Sequence, residues 1–535
     1  MKVKNIAMLS VLASSIILTG CGGDINITPT VIDNSTSTDN STNNSNNTTT
    51  TGGNTQEVVC ASYTTAAGTV EGVVAGDDCL YNDSFANANI SITSNITFES
   101  LPNGGVHLFD EALQIGEDGD TSTGFVVPTN GPTMTVNPGA TLAFKSGEAI
   151  IRIARGAKIQ ANGTIDAPIT FTSAFAFPRF DDIGNGPRYA DWGGIIINGN
   201  GITDQCTEAE RTGGTCNRES EGIISYYGGN DNADSSGSIS YARIWYAGSG
   251  PRVGGEGDDL NSLTLNAVGS GSTFSYIHIH QGFDDGVELF GGAADLNYIA
   301  VTDTQDDSFD FDAGWDGDAS HLFIMHGSVT LPNGDVAWMG NGGFEADGLK
   351  SNPTDFPRTR APEISNVTII TTDELSVRDG DDSRGIKFDD YFIANLSNVL
   401  IVKTEANAAV DSVCITHSTD GEATADQQVF DGSVLACDME LEFGDDLTFD
   451  GSKAPAALLN TPKADWFDAG GSNVRLGSAS DVLAANGFAT NTSSANLPAS
   501  AAGAVSAYIG AVSDQDTTSN WYRWVEAAVT AANAD

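Results

Sequence analysis

The sequence predicts an all-β protein whose chain winds into stacked coils, a β-solenoid, on three observations. A carboxylate-rich stretch occurs twice, as DDGVELFGG from Asp284 and as DDSFDFDAG from Asp306, at an interval of 22 residues. The segments before both stretches alternate apolar and polar residues in one register. Short Val- and Ile-rich strands separated by Gly, Asn and Pro make up the rest of the body. A repeat of this length with two-residue alternation indicates one coil per repeat.

The repeat predicts which residues stack on one another, about 4.8 Å apart along the hydrogen-bonding direction. At the interval of 22 the predicted pairs are Phe274 with Leu296, Tyr276 with Tyr298, Ile277 with Ile299 and Ile279 with Val301. Coils with inserted loops give longer intervals, which place Ile239 against Phe274 and Asn366 against Asn398. We expect the two asparagines to form a structural polar ladder.

A second strand recurs in each coil, as GVELF, SFDFD, GLKSN, GIKFD and MELEF. Alternation predicts an inward series and an outward series. The inward series is Val287, Phe309, Leu349, Ile386 and Leu441, and the outward series is Glu288, Asp310, Lys350, Lys387 and Glu442.

The first twenty residues have a basic start and a short apolar run, which indicate a signal peptide over 1–20. The run ends in LTGC, which resembles the lipobox of bacterial lipoproteins and makes Cys21 the expected acylated residue. Gly22 follows it, which favours the outer membrane. Residues 21–57 are rich in Ser, Thr and Asn and predict a flexible, lipid-anchored linker. We therefore expect an outer-membrane lipoprotein exposed at the cell surface.

The body divides into an N-terminal capping region over 58–131, a parallel β-helix over 132–460 and a C-terminal region over 461–535. A helix at NWYRWVEAAVTAAN is expected to cover the open end of the stack. Six cysteines allow fifteen pairings. Their spacing favours local disulfides in an oxidising compartment over a zinc site. The expected pairs are Cys60 with Cys79, Cys206 with Cys216, and Cys414 with Cys437.

The formal net charge is −48, from 23 basic and 71 acidic residues. Such a charge disfavours binding to nucleic acid, which needs a basic surface. Between Arg252 and Lys350 there is no Lys or Arg, although 17 carboxylates occur from Glu256 to Asp347. Stacked carboxylates repel one another, and a structural calcium ion with oxygen ligands would remove the repulsion. The expected ligands are Asp284, Asp285, Glu288, Asp306, Asp307, Asp310 and Asp312. The alternative is that these side chains cap turns.

Two further constellations suggest chemistry. His278 and His280 lie two residues apart on one strand and are followed by carboxylates, a pattern compatible with zinc or copper. Ordinary surface variation explains it better, because Arg243 and Trp245 occupy the matching places one coil earlier. The catalytic candidates are Glu288, Asp310, Lys350 and Lys387. Glu288 and Asp310 could serve as the carboxylate pair of a glycoside hydrolase. Lys350 or Lys387 could serve as the base of a lyase, beside a calcium ion. An opposite-charge ladder that holds the register accounts for the same residues.

At RGAKIQANGTIDAPITFTS, DWGGIIINGN and the paired acidic stretches, the chain resembles exported bacterial proteins with a pectin-lyase-like fold. The resemblance implies a single-stranded right-handed parallel β-helix with loop insertions and a small C-terminal helical cap. It implies a surface location and no particular catalytic residue. We expect a protein that binds an extracellular glycan, matrix component or partner surface protein. The alternative is a polysaccharide lyase or glycoside hydrolase acting on uronic-acid polymers.

Overall fold

The computed structural model describes residues 57–250, 259–349, 351, 355–358, 360–378, 383–390, 392–403, 413–417, 428–437, 439–443, 467, 472–476, 481–500 and 506–534. The predicted signal peptide, the linker, the lipidation residue Cys21 and the catalytic candidate Lys350 lie outside these residues. Within them, no helix is long and apolar enough to cross a membrane.

Most of the regular secondary structure of the described residues is β-strand. In order the strands are β1 Ser62–Thr65, β2 Gly68–Glu71, β3 Val73–Ala75, β4 Asp78–Tyr81, β5 Ser91–Ile92, β6 Ile96–Phe98, β7 His107–Phe109, β8 Leu113–Ile115, β9 Thr133–Val136, β10 Thr141–Phe144, β11 Ile151–Ile153, β12 Lys158–Asn162, β13 Ile169–Ser173, β14 Ile195–Asn198, β15 Arg218–Glu219, β16 Tyr226–Tyr227 and β17 Gly237–Trp245. They continue as β18 Leu263–Asn266, β19 Thr273–His280, β20 Val287–Phe290, β21 Leu296–Thr302, β22 Phe309–Asp312, β23 Ala319–Met325, β24 Ser328–Thr330, β25 Val336–Trp338, β26 Gly342–Ala346, β27 Glu363–Thr371, β28 Arg384–Phe388, β29 Ala394–Lys403, β30 Val413–His417, β31 Gln428–Asp431, β32 Val434–Ala436, β33 Met439–Phe443 and β34 Val474–Arg475. Among the described residues, the α-helices with complete bounds are α1 Glu208–Gly213 and α2 Asn520–Ala532. Short 3₁₀ helices are formed by Pro102–Gly104, Thr121–Thr123 and Ala174–Ala176.

Two parallel sheets run along the stack. Sheet A has eleven strands in the order β5, β8, β11, β14, β18, β20, β22, β26, β28, β30 and β33. Sheet B has seventeen strands and contains the long strands from β17 to β29. Successive strands of one sheet come from successive coils, and this is the arrangement of a parallel β-helix.

A column of left-handed residues turns the chain within the long strands of sheet B. The residues are Tyr241, Tyr276, Tyr298, His321, Asn366 and Asn398, with φ between 46° and 60°. Positive φ is uncommon for residues other than glycine. In β17 the kink at Tyr241 separates the residues that pair with β12 from those that pair with β13. One residue per coil therefore bends the strand while its neighbours stay paired.

The predicted register is confirmed. Phe274, Ile277 and Ile279 pair with Leu296, Ile299 and Val301, and Ile239 pairs with Phe274. The rings of Tyr276 and Tyr298 stack at 4.7 Å. Asn398 Nδ2 donates to Asn366 Oδ1 at 2.6 Å, so the asparagine ladder is also confirmed.

The core between the sheets is apolar, and its N-terminal part is a stack of aromatic rings. Tyr81, Phe109, Phe144 and Trp192 follow one another with ring centroids 4.5, 5.2 and 4.6 Å apart. Three disulfides join Cys60 to Cys79, Cys206 to Cys216 and Cys414 to Cys437, as the sequence predicts.

Two features differ from the predicted organisation. Parallel pairing begins at β4, which pairs with β7, so coils occur within the predicted capping region 58–131. Helix α2 packs on the side of the stack, against β19 and β21, instead of over its open end. Its buried residues Trp521 and Trp524 lie against the tyrosine column, the stacked rings of Tyr241, Tyr276 and Tyr298. The helix takes this place because its apolar face covers these rings on the side of the stack.

Candidate metal centre

One column on the outer side of sheet A contains three of the four catalytic candidates, Glu288, Asp310 and Lys387. Strand pairing places Glu288 beside Asp310, Asp310 beside Glu345 and Glu345 beside Lys387. The residues before them, Val287, Phe309, Phe344 and Ile386, are buried in the core. Period-two alternation within each strand separates the two series.

Glu345 occupies the column position that was predicted for Lys350, which lies outside the described residues. The strand of this coil is β26, Gly342–Ala346, so Phe344 takes the core position predicted for Leu349. The segment GGFEA has weaker strand character than its neighbours because it begins with two glycines. Both choices preserve an alternating pattern, which is why alternation did not distinguish them.

The column does not face open solvent as predicted. Glu288 is 5% exposed and Asp310 is 9% exposed. Asn261 donates its amide to both Glu288 and Glu221, and the distance to Glu221 Oε2 is 3.3 Å. Glu221 belongs to the long connection between β14 and β17. This connection lies over the outer side of sheet A and excludes water from the carboxylates.

The acidic turns before β20 and β22 form a ladder between coils. The backbone N–H of Asp307 donates to Asp285 Oδ1 at 2.9 Å, and the N–H of Asp285 donates to Asn261 Oδ1 at 3.0 Å. Each side chain therefore accepts from the backbone of the next turn. Part of the acidic repeat has this structural role, which matches the turn-capping alternative.

Arg378 brings positive charge to the cluster from a distant part of the chain. Its guanidinium lies 2.8 Å from Asp284, 3.1 Å from Asp306 and 3.3 Å from Asp259. The residue follows β27 and lies outside the segment that lacks Lys and Arg. Sequence reasoning missed it, because no local spacing relates Arg378 to these aspartates.

Lys387 is held by neighbouring carboxylates. Its ammonium contacts Glu345 and lies 3.9 Å from Asp389 Oδ2. Burial lowers the pKa of Lys387, but the charges of Glu345, Asp347 and Asp389 outweigh burial and raise it above its ordinary value. Lys387 is thus a permanent cation in this arrangement.

The buried acids have strongly perturbed protonation. Burial raises the pKa values of Asp285, Glu288 and Asp307 well above the ordinary carboxyl range. Neighbouring carboxylates raise them further, above all Asp284 for Asp285, Glu221 for Glu288 and Glu345 for Asp307. A buried carboxylate without sufficient positive charge either takes up a proton or binds a cation.

Three groups of carboxylates converge closely enough to share one ion. Within each group one oxygen per residue lies within 4.8 Å of the others. The groups are Asp285, Glu288 and Asp310; Asp284, Asp285 and Asp306; and Asp347, Asp389 and Asp390. Five of the seven predicted calcium ligands therefore fall in the first two groups. Asp307 instead interacts with Glu345, and Asp312 contacts the backbone N–H of Ala313. The third group had no counterpart in the sequence prediction.

The donor set suits a hard cation. Every convergent ligand is a carboxylate oxygen, and calcium prefers such ligands in irregular turns. The first group joins two consecutive coils, since Glu288 and Asp310 are paired neighbours. An ion bound there would link β20 and β22, whose paired carboxylates Glu288 and Asp310 repel each other.

The paired histidines are buried instead of lying on a variable surface. Trp245 Nε1 donates to His278 Nδ1 at 3.0 Å, and Thr302 Oγ1 lies 3.0 Å from His278 Nε2 and 2.9 Å from His280 Nδ1. Burial lowers the pKa of His278 well below its ordinary value. Gln281 Nε2 lies 3.5 Å from His280 Nε2, so all four ring nitrogens have polar partners, and this arrangement favours a structural role over metal binding.

A second charged region lies on the N-terminal coils of sheet A. Arg152, on β11, is 1% exposed, and its Nη1 lies 3.5 Å from Asp118 Oδ2. Arg155 is also 1% exposed and donates to the carbonyl oxygens of Gly119 and Gly228 at 2.8 and 3.1 Å. Sequence reasoning did not identify either arginine, because neither belongs to a motif that recurs from coil to coil.

These features define the protein as a parallel β-helix with a buried, carboxylate-rich candidate metal centre on one sheet. Residues 116–466 match the family described as the pectate-lyase like beta helix domain. The chain belongs to this family. Comparison with curated proteins and with solved structures gave no match. Fold and family together fit a surface or glycan-related protein.

Proposed function

We propose that this protein is a surface lipoprotein, anchored through Cys21 to the outer membrane, that binds an extracellular ligand on a calcium-stabilised, right-handed β-helix. The proposed ligand is a glycan, a matrix component or a partner surface protein. The observation that carries the proposal is the convergence of Asp285, Glu288 and Asp310 from consecutive coils into one group of carboxylates. The lipid anchor rests on the signal peptide and on the LTGC motif of the sequence.

Charge supports the calcium part of the proposal. The outer side of sheet A brings together Asp284, Asp285, Glu288, Asp306, Asp307 and Asp310. Arg378 contacts Asp284 and Asp306, whereas Lys387 contacts Glu345 beside them. Burial strengthens the repulsion among these carboxylates. A divalent ion offsets this repulsion and accepts several oxygens at once.

Burial supports binding over catalysis. A general base must reach the proton that it removes, and its pKa should lie near the working pH. Lys387 contacts Glu345 and its pKa is raised, while Glu288 and Asp310 are less than a tenth exposed. The family description keeps a lyase or hydrolase as the second candidate, because it names pectate lyases.

Two measurements on the unlipidated chain test the proposal. We expect a calcium chelator to lower the melting temperature and added calcium to restore it, because a ligand that binds only the folded state stabilises that state. An unchanged melting temperature contradicts the calcium part. We expect a glycan array to show binding, and a panel of uronic-acid polymers to remain uncleaved with and without calcium. Cleavage that is lost in Lys387→Ala would establish the lyase instead.

A further inference from the structure

A cavity of about 280 Å³ lies beside the connection between β14 and β17, away from the carboxylate column. It is bordered by Arg155 and Arg211, by Asn200 and Asn230, and by Asp231. The Cys206–Cys216 disulfide closes the loop that carries α1 and Arg211. The cavity is therefore built from a covalently closed loop and the turn after β11.

Both arginines are buried. Arg155 is 1% exposed and Arg211 is 4% exposed. Arg155 donates to the carbonyl oxygens of Cys216, Gly228 and Gly119 and to Asn217 Oδ1, at 2.6 to 3.4 Å. Arg211 donates to the carbonyl oxygens of Cys206 and Asp355. All these acceptors are neutral.

Across the described part of the chain, neither guanidinium lies within 4.0 Å of a carboxylate oxygen. The acids closest to Arg155 have other partners. Asp118 pairs with Arg152 and accepts from Ser225, and Asp120 caps a turn by accepting from the N–H of Ser122. This is unusual in a chain with 71 acidic and 23 basic residues. Asp118 and Asp120 therefore act on Arg155 only from beyond ion-pair distance, and a buried charge without a close partner destabilises the fold.

Arg211 keeps N–H donors for a ligand. A guanidinium carries five N–H donors, of which Arg211 uses one on each Nη. Arg155 uses both Nη groups on protein acceptors, and its Nε is closed to solvent, so Arg155 contributes positive charge. Guanidinium groups are a usual means of binding a planar carboxylate.

We propose that this cavity binds a small carboxylate that also carries hydroxyl groups. The carboxylate would accept from Arg211 and be attracted by the positive charge of Arg155, and the hydroxyls would meet Asn200, Asn230 and Asp231. Asp231 accepts from the N–H of Ala233 and is exposed, so it lies at the mouth of the cavity. Its carboxylate suits a hydroxyl donor and repels a second anionic group. The volume is below the usual range for drug-sized ligands, about 300–1,000 Å³, and limits the occupant to a small molecule.

The proposal is independent of calcium, so its test uses the full chain in calcium-free buffer. Lactate serves as the small hydroxy acid, glycerol as the neutral control and phosphate as the alternative anion, each followed by ligand-observed NMR titration. We expect lactate to bind with a dissociation constant of about 1 mM or tighter and phosphate to bind at least ten-fold more weakly. Equal binding of phosphate and lactate, or no binding of lactate, overturns the assignment.

Variants identify the site. We expect Arg211→Gln to weaken lactate binding at least ten-fold, while Arg523→Gln, which removes an exposed arginine of α2, leaves it unchanged. Because Arg211 is buried, circular dichroism melting must show that Arg211→Gln folds. Asn230→Ala alters an exposed residue and is expected to weaken binding about three-fold without a change in melting temperature, so it carries the test if Arg211→Gln does not fold. Wild-type affinity in a folded Arg211→Gln, or in Asn230→Ala if Arg211→Gln does not fold, refutes the proposal.

Discussion

The two charged regions of sheet A solve the burial of charge in different ways. On the N-terminal coils, Arg152 has Gln114 and Ile196 as its strand neighbours, and backbone carbonyls accept from the Nη groups of Arg155. On the middle coils, Glu288, Asp310 and Glu345 are neighbours in register. A parallel stack places like residues side by side, so a repeated acidic turn multiplies its charge whereas a single arginine does not. The acidic region therefore depends on groups from elsewhere.

The largest expected effect is the loss of Arg378. Arg378→Gln leaves Asp259, Asp284 and Asp306 without their shared cation, and removing one partner of a buried ion pair costs about 3–5 kcal/mol. Denaturant unfolding measures the free energy of unfolding. The matched control is Arg360→Gln, whose pair with Asp318 is about 40% exposed and is expected to contribute at most about 1 kcal/mol. Equal losses in the two variants would show that Arg378 does not neutralise the cluster.

The effect of Glu288→Gln on the free energy of unfolding is expected to change sign when calcium is added. Without calcium, the variant removes one of the repelling carboxylates and should raise the free energy of unfolding by roughly 1–3 kcal/mol. With calcium, it removes a ligand and should lower the free energy by a similar amount. Melting curves in chelator and in excess calcium test this, with the exposed Glu526→Gln as the control. The same sign in both buffers would contradict a metal site at Glu288.

The pH dependence of the calcium-free protein tests the same region. The pKa values of Asp285, Glu288 and Asp307 are raised in the fold, so the folded chain holds more protons than the unfolded chain. Stability is therefore lost as the pH rises through these folded pKa values, by up to about 1.4 kcal/mol per pH unit for each group. We expect unfolding measurements from pH 5 to 8.5, above the ordinary carboxyl value of about 4, to show this loss, and calcium to abolish it.

Histidines do not affect the upper part of this pH range, above about 6.5. Burial lowers the pKa of His326 to about 3, and a group of this kind loses stability only as the pH falls below the unfolded histidine value of about 6.5. A stability that rises between pH 7 and 8.5 without calcium would show that the carboxylates are already neutralised by protein groups.

The smallest effect is expected in the arginine region. Arg152→Met replaces a guanidinium whose Nε and Nη1 have no hydrogen-bond partner among the described residues. The relief of burying this charge should offset most of the lost attraction to Asp118, so the free energy of unfolding should change by less than about 1 kcal/mol. Denaturant midpoints measure it beside Arg378→Gln. A loss as large as that of Arg378→Gln would remove the contrast between the regions.

The sequence by itself determined the parallel stack, much of its register and the three disulfides. These features follow from local spacing, since a 22-residue interval and alternating apolar residues leave one way to pair Phe274 with Leu296 and Val287 with Phe309. The same spacing brought the five convergent carboxylates of the first two groups together.

Only the tertiary structure decided what surrounds those carboxylates. The sequence placed Lys350 in the column because GLKSN and GGFEA alternate equally well, and it placed Glu288 and Asp310 in solvent because strand alternation cannot show which outward side another segment covers. Arg378, Asn261 and Glu221 reach the cluster from separate connections, and α2 folds back onto the tyrosine column. Strand register depends on residues that are near in sequence, whereas the burial and charge balance of an outer face depend on which distant segments cover it.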